Sequence, residues 1–258
     1  MPSPFEQAKE LFRLGAFDKA THVLADLLQT EPRHLDAMLL LGMVHEKTHN
    51  LAAAADVFAQ ALDLSRDQKK DIGLRASSHY LTVNNQAKAF EILTKLYGLM
   101  PQDKEVNHAL CSLYREAGAY LKAAPYAIQL VNLADGFEGW LNAGIVLSGL
   151  GRLEEAAPLL KKAHEARPDD RLALCEYFWC AASLCDFDVS DRLQALLQAG
   201  LSREGDTPDI RESAFRALMW SGDEAYLARA SRRTAESLFG KVVPPRTMGR
   251  TKNRRPGP

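Results

Sequence analysis

The chain has 258 residues, room for one or two domains, and its 47% hydrophobic and 25% charged content is that of a folded globular protein rather than a fibrous or disordered one. Lys+Arg 32 against Asp+Glu 33 gives a net charge of −1, but residues 241–258 hold six basic residues and no acid. Residues 1–240 therefore carry 26 basic against 33 acidic groups, a net −7, so an acidic body precedes a basic extension.

The start, MPSPFEQAKE, lacks the basic segment and apolar core of a signal peptide. Instead Ser3-Pro4-Phe5-Glu6 reads as a capping box with proline in the first helical turn. From there one alanine recurs, at Ala20, Ala54, Ala89, Ala123 and Ala156, with intervals of 34, 35, 34 and 33. Twelve residues before each lies a small side chain: Ala8, Gly42, Ser77, Cys111, Gly144. Three residues further on come Leu11, His45, Tyr80, Tyr114 and Leu147. Four after the alanines come Leu24, Phe58, Leu93, Ala127 and Leu160, of which only Ala127 is small.

That pattern predicts a helical hairpin. Small residues let two antiparallel helices approach closely, and large ones fill the space beside them. Gly15, Gly118 and Gly151 supply positive φ at the turn, with His49 and Asn84 at the same mark. Pro32, Pro101 and Pro168 stop the second helix of three units, because proline cannot donate the next backbone bond. One hairpin cannot cover its own apolar face, so five must stack into a solenoid.

The spacing resembles the tetratricopeptide repeat (TPR) family, most closely in Trp140, Ala143-Gly144, Leu147, Gly151, Ala156, Leu160, Ala163 and Pro168. Five units cover roughly residues 3–168, and the third and fourth depart most from the pattern. The expected fold is all-α: a right-handed TPR superhelix of five hairpins, a degenerate sixth and two C-terminal helices. The domain boundaries expected are 1–168 for the solenoid, 169–205 for the degenerate hairpin, 206–240 for the C-terminal helices and 241–258 for a Pro/Gly-rich basic tail or linker. In residues 171–205 the stretch CEYFWCAASLC carries bulk where small residues belong. Thr207-Pro208-Asp209 signals a helix with Ile210, Ala214 and Leu218 on one face, and Asp223 caps another running to Gly240.

Residues 180–258 also resemble, loosely, the junction between TPRs and catalytic lobes in bacterial O-GlcNAc transferase (SPINDLY-like) glycosyltransferases. The likeness rests on Cys185-Asp186-Phe187-Asp188, residues 211–218 and the basic tail. The lobes that bind the sugar nucleotide in that family are absent, so no catalytic residue is carried over. That family's asparagine ladder, which holds peptide backbone, is matched by Asn142 alone; Glu6, Leu40, Arg75 and Ala109 stand at the other positions.

Other motifs have simpler explanations. His45-Glu46-Lys47-Thr48-His49 fits HExxH, in which two histidines one helical turn apart hold zinc. The repeat register instead places His45 between helices and His49 at a turn, and no third ligand stands at a known spacing. Cys175, Cys180 and Cys185 step by five, a spacing of neither zinc nor redox motifs, and read as packing residues. Glu154-Glu155 and Asp169-Asp170 read as helix-start acids. The tail has no aromatic residue for base stacking, which argues against selective nucleic-acid binding.

No catalytic motif, metal or cofactor is therefore expected. The function expected is non-catalytic binding of a protein or extended peptide in the concave groove. The register assigns to that groove Lys9, Arg13, Met43, His108, Ser112, Asn142 and Ile145. The alternative is the substrate-recognition half of an O-GlcNAc-transferase-like enzyme. Few, clustered cysteines and no apolar run near the roughly 20 residues a membrane helix needs suggest a cytoplasmic location.

Overall fold

The structure, a computed structural model, describes residues 3–133, 136–204, 214–219 and 221–239. The chain divides into two compact units, residues 1–166 and the remainder from Arg167. The first unit is ten helices: α1 (Pro4–Arg13), α2 (Phe17–Thr30), α3 (Leu35–Lys47), α4 (Leu51–Leu64), α5 (Lys69–Thr82), α6 (Gln86–Leu99), α7 (Lys104–Glu116), α8 (Tyr120–Asn132), α9 (Phe137–Gly149) and α10 (Leu153–Ala166). Successive pairs form five hairpins, each stacked on the first helix of the next. The odd-numbered helices also approach one another, α1 with α3 and α7 with α9. The even-numbered helices show no comparable approach, so among the described residues the odd helices line the inside of the curve.

The hairpin turns are built alike. Gly15, His49, Asn84, Gly118 and Gly151 take φ between +57° and +76°, and the next residue's N–H bonds back to a carbonyl five residues earlier. Examples are Asn50 to His45 (2.8 Å), Asn85 to Tyr80 (2.7 Å) and Arg152 to Leu147 (2.9 Å). This left-handed closure satisfies carbonyls that the helix end would leave without partners. The capping expected at the start is present, with Ser3 Oγ accepting from the Glu6 N–H at 3.2 Å.

Close approach explains the small marks. A Cβ on Gly42 would lie 2.6 Å from the Phe58 ring, and one on Gly144 would lie 2.6 Å from Leu160. Ala8, Ala20, Ala54, Ala89, Ala123 and Ala156 are fully buried. Where the third and fourth units drift from the pattern, aromatic contacts join α6, α7 and α8. Phe90 meets Tyr114 edge-on at 5.3 Å, Tyr114 stacks on Tyr126 at 5.8 Å, and Tyr97 meets Tyr126 at 5.1 Å.

The second unit holds α11 (Arg171–Ser183), α12 (Phe187–Glu204), α13 (Ala214–Leu218) and α14 (Glu224–Phe239). The helix α11 is buried on most sides, including Cys175, Tyr177, Phe178 and Cys180, and packs on α12 as a sixth hairpin. Two repeat marks survive there, each 34 residues beyond its counterpart in the fifth unit, although this stretch is expected to have lost them. Cys185 stands at the turn with φ +58°, and Ser190, buried, stands at the alanine mark. Cys185 is thus a correction: it is an exposed turn residue rather than a packing one. Burial pushes the Cys111 and Cys180 thiols up to about 11, as for inert core cysteines.

The C-terminal helices differ from expectation in one respect. Ala217 is buried and Leu218 is 63% exposed, so Leu218 is not on the packed face. Asp223 caps α14 as expected, its Oδ1 accepting from the Tyr226 N–H at 2.8 Å. Thr207-Pro208-Asp209, Ile210, Gly240 and the basic tail lie outside the described residues.

Candidate functional site: the inner face of the hairpin stack

The inner face carries two hollows. The first, about 420 Å³, lies between α1 and α3. Phe5, Lys9 and Phe12 share one face of α1 by their spacing, and Leu39 and Met43 share one face of α3. Phe5, Phe12, Leu39 and Met43 form an apolar, partly exposed floor. Lys9 and Arg13 stand on one wall and Asp36 on the other. Lys9 Nζ is 5.6 Å from the Phe5 ring centroid and pairs with Glu6 at 3.0 Å, while Arg13 pairs with Glu10 at 3.4 Å. Such exposed pairs within one helix are worth only about 0.3–0.5 kcal/mol, so a competing anion displaces them readily.

The second hollow, about 450 Å³, is lined by Lys104, Glu105, His108 and Glu138. His108 Nε2 lies 3.7 Å from Glu138 Oε2, across α7 and α9. An ion cluster joins two other odd helices: Glu46 of α3 accepts from Arg75 Nε (2.6 Å) and Nη2, and lies 2.5 Å from His79 Nε2, both on α5. Burial opposes the charge on Glu46, but the hydrogen bonds from Arg75 and His79 outweigh it and hold its carboxyl below the ordinary glutamate value.

The seven residues assigned by register separate into two groups. Lys9, Arg13 and Met43 line the first hollow and His108 the second; Ser112 is half-buried on α7. Asn142 and Ile145 are instead buried, 4% and 6% exposed. Asn142 Nδ2 donates to the Glu138 carbonyl at 2.9 Å within its own helix, so its amide is not offered to a peptide backbone. The register does not single out Phe5, Phe12, Leu39 and Asp36, although the first three lie about one turn, and Asp36 about two, from an assigned residue on the same helix.

The HExxH residues do not form a zinc pair. His45 lies in the last turn of α3, its pKa lowered by burial, and His49 lies beyond the helix in the left-handed turn. The two rings therefore do not share a helical face. Among the described residues no cluster of three or more His, Cys, Asp or Glu is placed to hold a metal ion. No described helix is long and apolar enough to cross a membrane. The acid pairs behave as helix-start groups: Asp170 caps α11 at 2.8 Å, and Glu155 pairs with Arg152 at 2.6 Å.

The fold is that of an α-solenoid of helical hairpins with an accessible inner face. Residues 5–69 and 137–170 match family models described as tetratricopeptide repeat, so those two segments carry TPRs. No curated protein matches it in sequence. Among solved structures it is similar to YrrB, described as a TPR protein with an unusual peptide-binding site (TM-score 0.55, 20% identity, 66% of this chain and 88% of that one). It is also similar to a tetratricopeptide repeat protein from Parabacteroides merdae (TM-score 0.58, 14% identity, 92% and 86%). A third likeness is to Pseudomonas aeruginosa PilF (TM-score 0.54, 14% identity, 88% and 95%). At these identities the likenesses establish the fold.

Proposed function

We propose that the chain is a non-catalytic binding module whose inner face receives a polypeptide, with the hollow between α1 and α3 as its anchor point. The observation that carries this reading is the juxtaposition of an apolar floor (Phe5, Phe12, Leu39, Met43) with two exposed cations, Lys9 and Arg13, on one wall. Such a site receives one large apolar side chain and places a neighbouring acidic group against Lys9 or Arg13. The TPR matches and the peptide-binding description of YrrB favour the same class of function. The O-GlcNAc-transferase likeness of residues 180–258 finds no counterpart in these comparisons, and the proposal takes nothing from it.

Selection of a random displayed-peptide library on the intact chain tests the reading. The expected result is enrichment of peptides pairing a large apolar residue with an acid, whose affinity falls at least about tenfold in Met43→Glu. Peptides that bind Met43→Glu and Lys9→Glu as well as the parent chain would overturn it.

A further inference from the structure

The hollow between α1 and α3 suits a large apolar side chain beside an acid, and this chain itself displays such an element. Of the large apolar side chains exposed among the described residues, Phe187 is the one aromatic ring and the one with acidic neighbours in sequence, Asp186 and Asp188. Leu121, the most exposed of them, is followed instead by Lys122, a charge that Lys9 and Arg13 would repel. Phe187 opens α12 at the turn of the sixth hairpin and is 67% exposed, with both aspartates exposed as well. Its counterparts two residues past the first and fourth turns are half-buried. Phe17 meets Phe12 edge-on at 5.7 Å, and Tyr120 lies so near α9 that a Cβ on Gly149 would be 2.6 Å from its ring. The turn also fixes what it displays. Cys185 takes φ +58°, the Asp186 N–H bonds the Ala181 carbonyl at 3.0 Å, and Asp186 Oδ1 accepts from the Val189 N–H at 3.3 Å. A ring held on a closed turn loses little freedom when it docks.

We infer that the occupant of the α1–α3 hollow is a second copy of this chain, whose turn at 186–188 seats Phe187 on the floor of Phe5, Phe12, Leu39 and Met43. The inference rests on the reading of that hollow as a polypeptide site and commits it to one partner. Charge complementarity carries the choice. Lys9 and Arg13 stand on the α1 wall and Asp36 on the α3 wall, so the aspartates flanking Phe187 are drawn toward α1 and turned away from α3. The size agrees, because an apolar cavity near 150 Å³ already accepts a benzene-sized ring, and the hollow measures about 420 Å³. Each contact joins two different surfaces, the hollow of one copy and the turn of the other. Two variants that each lack one of those surfaces must therefore complement each other.

Sedimentation velocity of the intact chain over a concentration series tests the inference. Salt of about 0.15 M screens repulsion between the acidic bodies beyond about 8 Å, and a reductant keeps the exposed Cys185 from cross-linking copies. The average mass is expected to rise with concentration. Phe187→Ala and Met43→Glu are each expected to weaken that association at least about tenfold. Lys9→Glu, at an exposed position away from the floor, is expected to weaken it too, which separates loss of the site from loss of the fold. Mixing Phe187→Ala with Met43→Glu is expected to restore a one-to-one complex, since one intact hollow and one intact turn remain. A chain that stays monomeric throughout, association that survives Phe187→Ala, or variants that fail to complement would overturn the second copy as occupant. Library peptides that fill the hollow of a chain that stays monomeric would assign it to another polypeptide, so the two readings fail separately.

Discussion

At the scale of single residues, Gly42, Gly73 and Gly144 stand where a neighbouring side chain leaves no room for a Cβ. Gly144 faces Leu160 at a distance where no Cβ fits, and Leu160 is fully buried. Gly144→Ala is therefore expected to cost about 2 kcal/mol, read as a lowered denaturation midpoint with an unchanged slope. An unchanged midpoint would show that α9 and α10 are packed more loosely than that approach implies. The same scale contains the pH response. Glu46 is held low by Arg75 and His79 against the effect of burial, so its pairing stabilises the fold above the ordinary glutamate value of 4.5 and is lost as pH falls through its lowered pKa. Glu46→Gln is expected to flatten the fall of Tm between about pH 5 and 3 without abolishing it. Part of the slope remains because Asp103 is also lowered, by Lys70 and by the α7 backbone N–H groups, against its own desolvation. An identical acid limb in the variant would contradict that account.

Single residues are also where a sequence reading falls short. The small marks and left-handed turns are legible because they are backbone requirements that repeat. Asn142 is not: nothing in the spacing distinguishes an asparagine offered to a ligand from one that bonds the carbonyl four residues back on its own helix. Ile145 fails for a related reason, since the register gives a direction but not what covers that direction.

At the scale of elements, the hairpin tolerates replacement of nearly every mark provided the turn closes. The sixth hairpin has Cys185 in place of a turn glycine and Phe178 where a small residue stands elsewhere, yet the Asp186 N–H still bonds the Ala181 carbonyl at 3.0 Å. A short helix such as α13 is less legible, because five residues give too little periodicity to fix a face, and Ala217 rather than Leu218 is buried. What anchors α13 is an ion pair. Arg216 donates to Glu176, a carboxylate only 6% exposed, and its guanidinium lies 4.9 Å from the Trp179 ring centroid. Removing one partner leaves the other charge buried, so Arg216→Ala is expected to cost the second unit about 3 kcal/mol. Hydrogen exchange in α11 should accelerate accordingly, while α1–α4 stay protected. Uniform exchange across both units would contradict an anchor confined to the second.

At the scale of the molecule, the matched segments 5–69 and 137–170 flank a stretch whose hairpins have the same form while departing further from the repeat's marks. Those central hairpins are linked by aromatic contacts and by ion pairs such as Lys70 with Asp103 at 2.9 Å, and of these partners Tyr114 alone stands at one of the repeat's marks. In a stack where each hairpin contacts mainly its neighbours, any set of contacts that closes the interface suffices. The architecture is accordingly readable from five periodic marks, whereas the binding surface depends on exposure of the residues between them. The central claim is that a polypeptide binds on the inner face at α1 and α3. The six methionines provide its most direct test, because Met43 lies in that hollow while Met38 is buried in the core of the body. With 13C-methyl methionine protein and a peptide obtained by selection, the account predicts a saturable shift of Met43 with Met38 unmoved. Saturable peptide binding that leaves the Met43 methyl unchanged would contradict it.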